Sequence, residues 1–235
     1  MIFSMKRVNA IFIKDWIDLL KNSYMLLTIA MPLALAAYLG RVGGNDELSH
    51  MFLINLTFTL VGTFVQASIV AEEKEKNTLR GLLLSPASTL EILVGKSTLS
   101  AAATIVVVAG VMFLSDFQMV SLPLFILMLF VGLIIYISIG TMIGLLSRTV
   151  METGVVGMPI LVILGMGSIF TSVTDNELII KLVSYLPSEQ FNYMWTQFND
   201  TGSYSDIFGN LFILLIWVVV SIAVTLITYK KRRFD

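Results

Sequence analysis

The stretch Gly95-Lys96-Ser97 has the residue types that close an ATP phosphate-binding loop. Such a loop needs Gly-x4-Gly-Lys-Ser/Thr, because the first glycine permits a tight bend and the following backbone amides turn inward around the phosphates. Leu90 occupies the position of that first glycine, and the Gly-Lys-Ser stretch runs directly into a long apolar segment. We therefore predict no nucleotide site here, and interpret Lys96 as an anchor at the end of a membrane span.

Other residue types that could do chemistry are sparse. The chain has no Cys and a single His, His50, so neither a metal cluster nor thiolate catalysis is expected. Glu72, Glu73 and Glu75 are interleaved with two lysines, and we expect these acids to be solvated and paired with those lysines rather than to form a buried acid–base pair. The sequence predicts no catalytic residue and no metal site.

The composition is that of a membrane protein. Hydrophobic residues make up 57% of the 235 residues and charged residues only 13%, too few to cover a water-soluble domain of this size. A helix needs about 20 apolar residues to cross a bilayer, and backbone polar groups in lipid must be satisfied within the helix itself. Six uncharged runs meet this length, at residues 23–40, 51–71, 97–114, 122–146, 154–173 and 208–229. We predict an all-α membrane protein with six transmembrane helices, forming a single transmembrane domain over residues 1–235.

The basic residues sort onto one side of these spans. Of the 15 Lys and Arg residues, 13 precede the first span, follow the last, or lie in the loops after spans 2 and 4, and only Arg41 and Lys181 lie in the alternate loops. Positive charge is retained on the cytoplasmic side of a membrane. The pattern predicts a multi-pass protein of the cell membrane with both termini in the cytoplasm.

Residues 1–21 have the pattern of an amphipathic helix. At 100° per residue, one face is apolar, with Met5, Val8, Phe12, Trp16 and Leu19. The opposite face carries Arg7, Lys14, Asp18 and Lys21. We expect this helix to lie in the cytoplasmic interface with its apolar face toward the acyl chains.

The predicted cytoplasmic loop of residues 72–96 has the residue pattern of two short helices rather than of an irregular connector. Thr78 could cap a short helix whose apolar edge is Leu79, Leu82 and Leu83, and Ser85-Pro86 would end it because proline disfavours helical geometry in the residue before it. A second helix from about residue 88 would lead into the third span. Two short helices with an apolar edge predict a docking surface, and two helices lying on lipid headgroups are the alternative.

This loop resembles the signature of the type-2 permeases of ATP-binding-cassette exporters. The resemblance lies in the acidic-basic run at residues 72–76, the Thr78-Leu79 pair, the leucines before Ser85-Pro86, and the closing Gly95-Lys96; Asn77 and Arg80 depart from the usual Gly and acid. It implies a coupling helix that docks into a separate ATPase subunit, present in two copies, which binds ATP and Mg; this chain itself would bind no cofactor. The implied docking residues are Glu73, Glu75, Thr78, Leu79, Leu82, Leu83, Ser85 and Pro86.

The second span carries a polar stripe. Asn55, Thr59, Gly62, Thr63 and Gln66 recur at helical spacing on an otherwise apolar segment. Polar side chains inside a membrane face protein or water rather than lipid. The stripe is interpreted either as the lining of a translocation path or as interhelical hydrogen bonding, and both interpretations stay open.

The fifth span combines glycines with an adaptable apolar surface. Pro159 permits a bend, and Met158, Met166 and Phe170 would form an apolar wall suited to a lipophilic or amphipathic cargo. The resemblance implies that the second and fifth spans face the path between two permease subunits.

The outer segment, residues 174–207, is rich in aromatic residues, which favour the membrane surface. Leu186-Pro187 divides it into two short helical pieces. The resemblance implies a re-entrant pair acting as an outer gate, with Pro187 to Phe191 at its turn; a belt of membrane anchors is the alternative.

The resemblance implies a permease half that works as a pair, most simply a homodimer, and exports its cargo. The apolar wall of the fifth span favours a hydrophobic or amphipathic cargo, such as a drug, lipid or antimicrobial peptide. Nucleic acid is not an expected partner. An ion-coupled carrier is one rival, although the cores of all six spans lack Asp and Glu, which mark proton and ion sites. A non-transporting immunity or scaffold protein is another.

Overall fold

The computed structural model describes residues 4–43, 47–76, 88–119, 121–165, 167, 170 and 173–232. Regular structure within these residues is entirely helical, which confirms the predicted fold class. The helices are α1 Met5–Lys21, α2 Ser23–Val42, α3 Glu47–Glu75, α4 Thr89–Leu114, α5 Leu122–Leu146, α6 Val150–Gly165, α7 Glu177–Ser184, α8 Pro187–Thr201 and α9 Phe208–Arg232.

Among these described helices, five are long and apolar enough to cross a membrane: α2, α3, α4, α5 and α9. The predicted fifth span corresponds to α6, which is apolar but has only 16 residues between Val150 and Gly165. Residues 166, 168–169 and 171–172 of that predicted span lie outside the described part of the chain. The number of six spans therefore stays a prediction.

Helix α3 is the centre of the bundle. It contacts α2, α4, α5, α6 and α8. One apolar core contains residues of α3, α5, α8 and α9, and a second contains residues of α3, α2 and α4. Its middle, Phe58–Val65, is π-helical, a wider turn that is rare and is often found at functional sites. Because α3 is buried along nearly its whole length, its polar side chains must find partners within the protein.

Glycines on α5 allow it to lie directly against α3. A Cβ atom on Gly140 would lie 2.3 Å from the carbonyl oxygen of Thr63, and one on Gly144 would lie 2.5 Å from that of Ala67. Small residues spaced four apart permit this approach between membrane helices. The contact fixes the position of the polar stripe of α3 relative to α5.

Helix α4 begins where the sequence predicts. Ser88 caps it, accepting a hydrogen bond from the backbone of Glu91 while the Glu91 side chain accepts from Ser88 N, a capping box. The helix continues without a break to Leu114, so the predicted helix from residue 88 does lead into the third span. The preceding short helix predicted at residues 78–86 lies outside the described residues.

The outer segment forms two helices, as predicted. The side chain of Asn176 caps α7, and Pro187 takes the first position of α8, where its missing N–H costs nothing. The break between them falls at Tyr185 and Leu186.

Candidate functional site

Lys96 of the Gly-Lys-Ser stretch is buried among carboxylates. Its Nζ lies 3.1 Å from Glu73 Oε1 and 3.4 Å from Asp15 Oδ2, and only 2–3% of each of these three side chains is exposed. Lys14 also pairs with Glu73 and lies 3.4 Å from Asp15. We call these four residues, contributed by α1, α3 and α4, the ionic cluster. The prediction that Lys96 anchors the end of a span at the membrane surface is wrong. Its ammonium group is buried and pairs with the carboxylates of Asp15 and Glu73.

The prediction for Glu73 is wrong for the same reason. Glu73 is not solvated: only 2% of its side chain is exposed, and its carboxylate pairs with Lys14 of α1 and Lys96 of α4. The neighbouring Glu72 behaves as predicted: it accepts a 2.6 Å hydrogen bond from Lys76, one turn further along the helix.

Burial and charge act against each other in the ionic cluster. Burial raises the pKa of Asp15, and the nearby charges of Lys96 and Lys14 offset only part of that shift. Partial burial works to lower the pKa of Lys14, but the hydrogen bond and the charge of Glu73 outweigh it, so the pKa of Lys14 lies above its ordinary value.

A second set of contacts fastens the start of α1 to the start of α4. The carboxylate of Glu91 accepts from Arg7 Nε at 3.0 Å, from Arg7 Nη2 at 2.6 Å and from Ser4 N at 2.5 Å. Two donors from one guanidinium fix orientation as well as distance. Between this pair and the ionic cluster, Gly95 lets the helices touch: a Cβ there would lie 3.0 Å from Ile11 Cβ.

The predicted apolar face of α1 is divided between two surroundings. Val8 and Leu19 are buried, with Ile11, on the side that packs on the bundle, whereas Met5 and Trp16 are exposed. The exposed large apolar residues of α1 are Met5, Ile13, Trp16, Ile17 and Leu20. One face of α1 therefore packs on the helix bundle, and an adjacent apolar face is exposed and available to lipid.

The predicted ATPase-docking residues are only partly described. Thr78, Leu79, Leu82, Leu83, Ser85 and Pro86 lie outside the described residues. Glu73 belongs to the ionic cluster, and Glu75 accepts a 3.0 Å hydrogen bond from the backbone N of Val150, the first residue of α6. The last turn of α3 is therefore fixed to both α1 and α6 just before residues 77–87.

The polar stripe of α3 faces the interior of the chain. Its members Asn55, Thr59, Thr63 and Gln66 are all buried. Asn55 donates to Ser188 O and Asn192 Oδ1 of α8 at 3.3 and 3.1 Å, and Thr59 donates to the backbone oxygen of Asn55.

The other half of the stripe bonds to the neighbouring spans. Thr63 donates to Tyr136 O at 3.0 Å, and Gln66 bridges Thr141 of α5 and Ser100 of α4 at 2.9 and 2.7 Å. These are the contacts that interhelical packing requires. A lining role for the stripe stays a prediction.

An open apolar groove of about 530 Å³ lies between α2, the π-helical part of α3, and α6. Residues along it include Leu27, Met31, Leu60, Phe64 and Met158. The predicted path residues Met158 and Pro159 are exposed on α6, Met158 by 60%, and Phe170 is exposed by 39%. Met166 lies outside the described residues.

The predicted outer-gate residues belong to α8. Pro187 is its first residue, and Phe191 lies inside the helix, so these residues follow the turn between α7 and α8 rather than form it. The ring of Phe191 is buried and stacks on Phe58, the first residue of the π-helical segment, with 5.9 Å between ring centroids. The outer segment is thereby packed on the centre of α3.

Comparison with protein families gives a match over residues 43–227 to a family described as ABC-2 family transporter protein. The chain belongs to the ABC-2 transporter family. The match covers most of the bundle, from the start of α3 through most of α9, and confirms the resemblance to type-2 permeases. Among curated proteins, none matches this sequence. The chain is thus a multi-pass ABC-2 membrane permease. The ionic cluster, the groove and the polar stripe are features of this chain.

Sequence reasoning missed the role of Asp15, Lys96 and Glu91 in this permease. One signal was present: Asp15 lies on the same helical face as Val8 and Ile11, so an acid interrupts an apolar face. A buried carboxylate at this position is stable only beside a cation, and Lys96 at the start of the third span is that cation.

Proposed function

We propose that this chain is the membrane-spanning half of an ATP-binding-cassette exporter. The match to the ABC-2 family over residues 43–227 carries the proposal. ATP and Mg bind a separate ATPase subunit, present in two copies, and this chain converts the movement of that subunit into opening and closing of a path. The chain has six spans and both termini in the cytoplasm, in accord with the distribution of Lys and Arg.

The path runs along the apolar groove between α2, α3 and α6, and a second permease subunit, most simply another copy, closes it. An almost wholly apolar surface that includes exposed Met158 and Met31 supports a hydrophobic or amphipathic cargo, such as a drug, lipid or antimicrobial peptide. The outward direction of transport is proposed on the resemblance to exporters.

The docking part of the proposal is tested at the loop of residues 77–87. Leu83→Asp is expected to abolish copurification with the ATPase subunit, because an acid at the predicted apolar edge leaves a charge desolvated in the interface. The measurement is the amount of ATPase subunit retained with the tagged permease after detergent extraction and affinity purification from its own host.

Leu178→Asp is the matched control, since Leu178 is exposed on α7 in the outer segment. This variant is expected to retain the ATPase subunit at the wild-type level. Unchanged copurification of Leu83→Asp, or absence of any ATPase from the wild-type preparation, would contradict the proposal.

A further inference from the structure

Helix α1 is ion-paired to both sides of the loop that contains residues 77–87. On the side before the loop, Lys14 of α1 pairs with Glu73, in the last turn of α3. On the side after the loop, Arg7 pairs with Glu91 in the first turn of α4, and Asp15 pairs with Lys96. The chain segments entering and leaving the loop are therefore held by one helix.

Lys96 closes this arrangement because it touches both of the other helices. Its ammonium lies within 3.4 Å of a carboxylate of α1 and within 3.1 Å of a carboxylate of α3, with all three groups buried. Separating α1 from α3 or α4 would leave a charge buried without its partner, which is strongly unfavourable. Gly95 adds close contact, since Ile11 occupies the space that a larger side chain would need.

We infer that α1, the end of α3 and the start of α4 form one rigid bracket that moves as a unit during each ATP cycle. Lys96 is its central positioning residue. The inference rests on the proposed function and deepens it, because it gives the Gly95-Lys96 pair a mechanical role and makes α1 part of the moving element.

The absence of Cys from the sequence permits a direct test. Ile11→Cys combined with Gly95→Cys places two sulfurs between α1 and α4, where the Cβ atoms are about 3.0 Å apart, and a shift of a few tenths of an ångström reaches disulfide geometry. The complex with its ATPase subunit is purified, reconstituted in lipid, and its ATPase rate is measured after oxidation and again after reduction. Each single-Cys variant, treated identically, is the control.

A rigid bracket predicts that the oxidised double variant hydrolyses ATP at the same rate as its reduced form, because the disulfide joins parts that never separate. If oxidation stalls hydrolysis and reduction restores it, α1 must leave α4 during the cycle and the inference is wrong.

A second variant tests Lys96 itself. Lys96→Met is expected to lower the ATPase rate of the complex about 2- to 30-fold while the ATPase subunit still copurifies, since coupling networks change by this amount on mutation. Lys181→Met, which removes an exposed lysine of α7 in the outer segment, is the matched control and should keep the wild-type rate. A wild-type rate for Lys96→Met would overturn its assigned role.

The two levels of the proposal fail differently. A wild-type chain that copurifies no ATPase refutes the proposed function, and the bracket loses its mechanical role with it. A wild-type complex that hydrolyses ATP but stalls when the disulfide forms refutes the bracket alone.

Discussion

Gly140→Ala is expected to destabilise the folded permease by about 3 kcal/mol, the upper part of the range for overpacked cores. The added methyl group would lie 2.3 Å from the backbone oxygen of Thr63 and 3.0 Å from Gln66 Cβ. A backbone oxygen in the middle of a buried helix cannot turn aside, so α5 must move away from α3. The thermal unfolding midpoint of the purified protein in detergent measures the effect.

Gly209→Ala is the control for this prediction. Gly209 lies in the first turn of α9, and the Cβ that alanine would add meets no other described part of the chain within 4 Å beyond its own helical turn. Alanine is the better helix former, so this variant should match or slightly exceed the stability of the wild type. Equal midpoints for Gly140→Ala and Gly209→Ala would show that α3 and α5 do not lie as close as described.

Gln66→Leu is expected to cost about 1–2 kcal/mol in the free energy of unfolding. The Gln66 amide is fully buried and links three helices, so leucine removes the hydrogen-bonding partner of Ser100 on α4 and of Thr141 on α5. Denaturant titration of the purified permease measures the loss. The same variant separates the two interpretations of the polar stripe, because a residue that lined a wet path would tolerate leucine without loss of stability.

Thr28→Val is the control for Gln66→Leu, because it also replaces a polar side chain with an apolar one. Thr28 lies on α2 beside the groove, and its hydroxyl donates to Tyr24 O within the same helix. No loss of stability is expected from it. If Gln66→Leu and Thr28→Val unfold at the same denaturant concentration as the wild type, the hydrogen bonds of the stripe do not hold the bundle together.

Local patterns made much of the fold predictable. The helix predicted from about residue 88 is the start of α4, and the α5 boundaries at Leu122 and Leu146 follow the apolar run. The predicted division of the outer segment at Leu186-Pro187 falls at the break between α7 and α8, since proline favours the first position of a helix. In each case the deciding interaction joins residues close together in sequence.

The interactions that were missed join residues far apart in sequence. Lys96 and Asp15 are 81 positions apart, and no residue near Lys96 in the sequence reveals that α1 packs on α4. The π-helical turns of Phe58–Val65 also do not show in the sequence, because the period of 100° per residue describes an α-helix and not the wider π-helical turn. The position of the groove depends on how α2, α3 and α6 pack, which periodicity alone does not give.

The hydrogen bonds of α3 have a consequence for how the protein is made. Gln66 can form its hydrogen bond with Thr141 only after 75 more residues have been synthesised, and Asn55 can bond to Asn192 only after 137 more. At ribosomal speeds of about 5–20 residues per second, the amide of Asn55 is without this partner for roughly 7 to 27 seconds. During that interval bare polar groups would face hydrocarbon if the helix were released alone. The insertion machinery must therefore shelter this segment until the later helices emerge, and biogenesis of the bundle is a delayed, collective event rather than the entry of one helix after another.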